Sequence, residues 1–269
     1  KQTRKEFFKT KEESQTAFQY RQEEFLNRQA FLQNNVQELF LRELSKYQSV
    51  SSLQTAITSL LLKKNALNPF FTPEAKRLLL NRIERVFEKY GVVGGKKMET
   101  VFLQKDAENK IHTAKIMYYD SEAHRKPFAT WLHCSMDFVE GVNACKLASK
   151  EIRIVQCLFG LCLAKDFTKY KQVHLVESEK TALVMAIVEP EYLWLATGGS
   201  SMLKTETIKP LADLGIRKLF LYPDKDYFAK WKKKAEEIEK ALNINIITMD
   251  ILEQQPSLPS NSDLADLVL

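Results

Sequence analysis

The first 63 positions of this 269-residue sequence contain neither glycine nor proline, and the whole chain has only 8 of each. That scarcity excludes collagen-like and low-complexity classes, and it leaves the N-terminal quarter free to form uninterrupted helix. No apolar run approaches the roughly 20 residues that a membrane-spanning helix needs. The opening KQTRKEFFKT is charged and has no apolar core of a signal peptide. The chain begins at Lys1 without a methionine, which suits a fragment or a trimmed chain and leaves room for an upstream domain.

Cysteine is also sparse. Cys134, Cys145, Cys157 and Cys162 lie mid-chain, and no pair has the C-x-x-C spacing of a zinc ribbon. In a chain this long they read as buried thiols of a cytoplasmic protein, not as a disulfide framework. His112, His124, His133 and His174 are scattered, with no pair at metal-ligand spacing on a helix. Gly91 to Lys97 superficially resembles a phosphate loop but lacks the GK[ST] ending and follows a helical pattern, so it reads as a turn. No nucleophile–base arrangement can be argued from spacing alone. Neither sign of charge dominates: 40 basic against 34 acidic residues give a net +6, which permits an anionic partner without demanding one.

What is present divides the chain in three. Residues 1–67 read as a helical arm, 68–168 as an α+β region with a β-hairpin, and 169–269 as an α/β domain. In the arm, Phe18, Phe25, Leu32 and Leu39 recur every seven residues with Val36 and Phe40 nearby, one apolar stripe along a helix. The stripe suits a coiled-coil or hairpin arm and equally a helix packed on its own domain. Helices 1–63 could thus recruit a protein partner or form a homo-oligomer.

Ser51 to Lys64 reads as a second helix, ended by Asn68-Pro69. Thr72-Pro73-Glu74 starts another with a cap residue, proline at the first helical position and an acid in the first turn. Alternation in METVFLQKD and KIHTAKIMYYD, with AENK between, predicts a hairpin. ATWLHCSMDF follows as a candidate third strand, and Ile152 to Leu163 as a buried helix.

From Lys171 short apolar strands alternate with helices: strands at 172–176, 192–196, 218–222 and 245–249, helices at 178–188, 203–214 and 227–242, and a last helical start at 262–269. This alternation predicts a parallel sheet covered on both faces, whose ligands bind at the carboxyl ends of its strands. Glu177 follows the first strand, Thr197-Gly198-Gly199 the second, and Asp224 and Asp226 the third. Sequence order places Glu177, Asp224 and Asp226 on one edge. Three crowded carboxylates repel unless a cation lies between them, and Mg²⁺ (or Mn²⁺) favours such oxygen ligands. A single acid after a strand is as readily a turn or cap residue.

Basic residues flank that edge. Lys180, Lys225, Lys230 and Lys233, with Trp231 beside them, could grip a phosphate backbone and stack a base. The competing reading is a solvated helix face with Trp231 turned inward.

The segment from about Lys171 resembles a Toprim domain, the metal-binding fold shared by bacterial primases, topoisomerases and some nucleases. VHLVESEKTAL supplies the glutamate Glu177, with Ser178 where glycine is usual. LATGG supplies the turn and LYPDKD the pair Asp224 and Asp226, followed here by Tyr227-Phe228 in place of small residues. SDLADLVL resembles the late acidic segment through Asp263 and Asp266. From about residue 69 the strings KIMYYD, TWLHC, QCLFG, HLVESEKTAL, WLATGG and LYPD resemble primase-like Toprim proteins of bacterial mobile elements, which often carry an N-terminal zinc ribbon.

The resemblance implies a C-terminal Toprim-like parallel sheet with flanking helices, preceded by a small α+β region and an N-terminal helical segment. It also implies Glu177 as general acid/base, Asp224 and Asp226 as Mg²⁺ ligands, and Asp263 or Asp266 supporting a second ion or the first ion's waters. The activity implied is phosphodiester chemistry on DNA or RNA, as a primase-like nucleotidyltransferase in replication or mobilisation of an element, or as a nuclease. A catalytically degenerate fold that only binds nucleic acid or protein is the alternative.

Overall fold

The computed structural model describes residues 37–47, 49–95, 97–134 and 156–269. Two four-stranded sheets organise it. The first is antiparallel, in the order β1 (Val92–Gly94), β2 (Thr100–Lys105), β3 (Ile111–Tyr119), β4 (Arg125–Trp131). Its β2–β3 hairpin closes through Asp106, whose Oδ1 accepts the Glu108 and Lys110 amides at 2.9 Å each. Side chains alternate across this sheet as the period of two requires. Val101, Leu103, Ala114 and Ile116 face outward under a helical segment at 37–44, which contributes Leu39 and Phe40. Phe102, Met117 and Tyr119 face inward into the main core.

The stripe residues Leu39 and Phe40 are therefore packed on their own domain. Phe18, Phe25, Leu32 and Val36 lie outside the described residues.

α1 (Ser52–Ala66) and α2 (Pro73–Tyr90) cover the inward face. α2 starts as its sequence dictates: Thr72 Oγ1 accepts the Ala75 amide, Pro73 occupies the first turn, and Gly91 ends it in the left-handed conformation at φ +68°.

Two of the sequence expectations in this region are corrected. The third strand begins at Arg125 and ends at Trp131, earlier than ATWLHCSMDF suggested. Cys134, just beyond it, is exposed, not buried. The run Ile152 to Leu163 is not one helix either. Its first four residues lie outside the described set, Phe159 forms a bridge with Ala196, and helical geometry, of the 3₁₀ type, begins only at Leu161. A continuous apolar run fits an extended segment between two layers as well as it fits a buried helix.

The second sheet is parallel throughout: β5 (Val173–Val176), β6 (Leu193–Ala196), β7 (Lys218–Tyr222) and β8 (Asn245–Thr248), in spatial order β6-β5-β7-β8. α3 (Glu179–Val188) covers one face. α4 (Thr205–Asp213) and α5 (Phe228–Leu242) cover the other, over Val173, Leu175, Leu219 and Leu221. A short α6 (Leu264–Val268) ends the chain. The molecule is a mixed α/β protein with flanking helices. One apolar cluster runs from α1 and α2 through Phe102 and Met117 to α3 and Trp194, so the two sheets share a core.

The chain leaves β5 to one side for β6 and returns past it to β7. The strand order therefore reverses at β5, where an open α/β sheet forms its crevice. Among the described residues no helix is long and apolar enough to cross a membrane.

Candidate functional site

Parallel pairing of β5 with β7 sets Val176 level with Tyr222. The residues that follow each strand, Glu177 and Asp224, therefore emerge at one rim. Ser178 caps the next helix, its Oγ accepting the Thr181 amide at 3.1 Å. A glycine there could not provide that cap, which is the local reason for serine in this chain.

Glu177 is half-buried. Its carboxylate accepts a backbone N–H from Ser200, yet its Oε2 is buried with no hydrogen-bond partner. Burial, with Glu179 adding to it, raises its pKa. Asp224 is displaced further: burial first, then the negative charges of Glu177 and Asp263, push it up to about 8, against a smaller opposing effect of Lys180. A carboxyl so placed holds a proton at neutral pH unless a cation joins it.

Asp263 is the N-cap of α6 and forms a reciprocal capping box with Asp266. Lys180 Nζ bridges both, 3.2 Å from Asp263 Oδ2 and 3.3 Å from Asp266 Oδ1. Burial alone would lower the Lys180 ammonium, but Asp263 and Asp266 outweigh it and the net shift is upward.

The structure thus brings Glu177, Asp224, Asp263 and Lys180 together. It does not bring Asp226 to the same spot. Asp226 is exposed, at φ +74°, with Oδ2 accepting the Ser260 hydroxyl and its amide donated to Glu253 Oε1 at 2.8 Å. The charges that act most on Asp224 are those of Glu177, Asp263, Lys180 and Asp266, not that of Asp226. Two lysines expected to grip phosphate are engaged elsewhere: Lys180 in the pair just described, and Lys225 with the Gln255 and Leu258 carbonyl oxygens, where it holds the loop before α6. Trp231 is fully buried beneath α5, so the stacking expected of it is not available on this surface. Lys230 and Lys233 are exposed, and Lys230 lies over the Tyr227 ring at 5.4 Å, close enough to lower the Glu177 carboxyl.

Sequence reasoning missed the opposite wall. A cleft of about 280 Å³ separates the rim from the antiparallel sheet, which presents Lys115, Met117, Tyr119 and Arg125 to it. Lys115 pairs with Glu179, Nζ to both carboxylate oxygens at 3.1 Å. A lysine in an alternating strand reads as a solvent-facing residue, and nothing local marks it otherwise. Glu179, in the first turn of α3, reads as a helix-dipole residue.

As to whether a divalent cation fits, the donor set is hard oxygen, Glu177 Oε2 is buried without a partner, and the Glu177 charge acts on Asp224. Among the described residues, however, no three His, Cys, Asp or Glu side chains are arranged as a ready-made ligand cluster.

The fold and rim define an α/β protein whose acidic edge lies at the strand-order reversal of a parallel sheet. The chain belongs to the family described as Domain of unknown function (DUF6371), whose model matches residues 68–225, more than half of its length. That match takes in Glu177 and Asp224 and ends before Asp226 and Asp263.

Solved structures similar to it include three primases. The Aquifex aeolicus primase (zinc-binding and RNA polymerase domains) is 14% identical with a TM-score of 0.48, covering 87% of this chain and 57% of that one. The RNA polymerase domain of Mycobacterium tuberculosis primase DnaG is 15% identical, TM-score 0.47, covering 87% and 78%. A DnaG primase catalytic domain bound to single-stranded DNA is 15% identical, TM-score 0.49, covering 89% and 75%. The chain spans little more than half the length of the first of these. No curated protein sequence matches it.

Proposed function

We propose that this protein performs divalent-cation-dependent phosphodiester chemistry on nucleic acid, at the rim formed by Glu177 and Asp224. The observation that carries the reading is the under-neutralised carboxylate pair: a buried Glu177 oxygen without a partner, beside an Asp224 pushed to about 8 by burial first and then by the charges of Glu177 and Asp263. Such crowding costs folding free energy, and a hard cation would relieve it. The Toprim-like order of Glu177, the LATGG turn, Asp224 and the late Asp263 supports nucleic acid as the substrate.

In this reading Glu177 and Asp224 hold one Mg²⁺ or Mn²⁺. When bound, the ion would polarise a phosphoryl oxygen and stabilise the leaving oxygen. The protein's own groups do the rest. Glu177 offers Oε2 to the ion while the Ser200 amide holds its carboxylate in place. Lys180 pairs with both Asp263 and Asp266 and offsets part of their charge, which ties them to the ammonium and not to the ion. Lys230 and Lys233, exposed on α5, offer phosphate contacts along the approach to the rim. Cys134, Cys157 and Cys162 are free thiols, which suits a reducing, cytoplasmic setting. Priming of replication in a mobile element is the specific role that the sequence resemblance favours.

Binding without chemistry is a second reading, and one observation favours it: the absence of a ready-made three-ligand cluster among the described residues. The deciding experiment is Mg²⁺ titration calorimetry on the full chain, paired with an extension assay on a single-stranded template and a cleavage assay on the same strand. Saturable binding lost in Asp224→Asn, together with either activity, is expected. Wild-type protein that binds no Mg²⁺, or an Asp224→Asn variant as active as wild type, sinks the catalytic reading.

A further inference from the structure

We infer that Lys115 is a positioning residue: through its pair with Glu179 and its bond to Gly198, the antiparallel sheet sets where the Glu177 carboxylate stands. This rests on the assignment of Glu177 to the metal site made above.

Lys115 lies on the inner face of β3, opposite Phe102 in the β2–β3 register. Its ammonium has three acceptors for its three donors: Glu179 Oε1, Glu179 Oε2 and the Gly198 carbonyl, each at 3.1 Å. The side chains are only 13% and 2% exposed, so this is no loose surface pair. A buried ion pair is a poor source of stability compared with an apolar one of similar volume. Its geometry here points to what it orients.

What it orients is the turn after β6. Gly198 is at φ +80°, and a β-carbon there would come within 3.1 Å of Glu179 Oε1, so the turn rests directly on the pair. The Gly198 carbonyl points to Lys115, while the Gly198 amide donates to the Glu177 carbonyl at 2.9 Å. Two residues on, the Ser200 amide donates to the Glu177 carboxylate. Lys234 holds the Ser200 carbonyl from the far side at 3.0 Å. The turn is thus clamped between the two lysines, and the group it presents to Glu177 is an N–H that fixes one carboxylate oxygen and leaves Oε2 free for the ion. Removing Lys115 releases one jaw of that clamp. Any ligand that shifts the antiparallel sheet would move Glu177 by the same linkage.

Two paired substitutions test this, each read by Mg²⁺ calorimetry on the full chain and by thermal unfolding. Lys115→Met with Glu179→Leu removes both charges together. Lys115→Gln with Glu179→Gln keeps the shape and polarity of the pair and guards against a failure to fold. Both are expected to stay folded and to bind Mg²⁺ about 10-fold or more weakly, the size of effect seen when a group orienting a metal ligand is lost. Lys115→Arg, which keeps the charge and the Gly198 contact, is expected to bind within about 3-fold of wild type.

Folded double variants with wild-type Mg²⁺ affinity overturn the inference while leaving the metal site standing. Failure of both doubles to fold overturns it too, because the pair is then a structural staple. Wild-type protein without Mg²⁺ binding is a different result, and refutes the site itself.

Discussion

The ammonium of Lys180, from the first turn of α3, lies 3.2 Å from Asp263 Oδ2 at the start of α6, two residues that are distant in the chain. Their pairing divides the acidic rim. One half, Asp263 with Asp266, carries its own cation. The other half, Glu177 with Asp224, is less well compensated, and burial together with the charges of Glu177 and Asp263 pushes Asp224 to about 8. Replacing Lys180 by methionine leaves two carboxylates uncompensated and is expected to cost on the order of 2–4 kcal/mol, measured by urea unfolding. Millimolar Mg²⁺ should recover part of that loss, because a divalent ion can stand where the ammonium stood. Equal stability of wild type and variant would show that the pair contributes nothing.

Asp224 and Asp226 are near neighbours in sequence but not in role. Asp224→Asn removes a charge from the crowded half of the rim. It should stabilise the metal-free protein at pH 8 by on the order of 1–3 kcal/mol and abolish Mg²⁺ binding. Asp226→Asn keeps a residue that tolerates φ +74° and alters only an exposed bond to Ser260. Its Mg²⁺ affinity should stay within about 3-fold of wild type. Calorimetry on the two variants side by side decides between these roles, and a large loss in Asp226→Asn would return that residue to the ion.

Stability should fall as pH rises from about 4 to about 8, between the unfolded and the folded pKa of Asp224. The folded Asp224 carboxyl titrates at about 8, raised from 3.8 in the unfolded chain. The native state therefore binds the proton more tightly, and its contribution is present at low pH and lost as pH climbs toward 8. His174 has the opposite sign: burial lowers it from 6.5 to about 4, so its contribution is lost as pH falls through that window. Between pH 6.5 and 8 the His174 effect no longer changes while the Asp224 effect does, and the metal-free melting temperature should drop by several degrees. Asp224→Asn or saturating Mg²⁺ should flatten the profile. A melting temperature that rises across this interval would contradict the placement of Asp224.

Trp231 and Lys230 are adjacent and should separate cleanly. Trp231→Ala empties a fully buried position and is expected to cost about 3–5 kcal/mol. The milder Trp231→Phe, once folded, should bind single-stranded DNA as wild type does. Lys230→Ala should leave stability unchanged, weaken that binding, and lower the salt slope by about one unit, read by fluorescence anisotropy across a salt series. Weaker binding by a folded Trp231→Phe would mean that the indole does reach a base.

Much of the architecture was legible in the chain because it depends on local chemistry. The cap, proline and glycine around α2, the Asp106 turn of the hairpin, and the alternation of β5 to β8 with their helices each follow from residues within a few positions. The run Ile152 to Leu163 was misread because continuous apolarity carries no period. Asp226 was misplaced for a different reason. Its spacing from Asp224 is right for a shared edge, but a left-handed backbone at that position turns it out to Ser260. Lys225 likewise reads as a phosphate ligand until the loop that it ties down is seen.

By itself the sequence determined the order of elements, the parallel character of the second sheet and the arrival of Glu177 and Asp224 at strand ends. Those are set by side-chain periodicity, turn chemistry and the handedness of strand–helix–strand connections, all local or topological. Only the tertiary structure decided how charge is distributed over the rim: that Lys180 goes to Asp263 and Asp266, that Lys115 crosses from the other sheet to Glu179 and Gly198, and that Trp231 is core. Charges pair through space with whatever the packing of distant elements brings within about 4 Å, and no sequence pattern encodes that proximity.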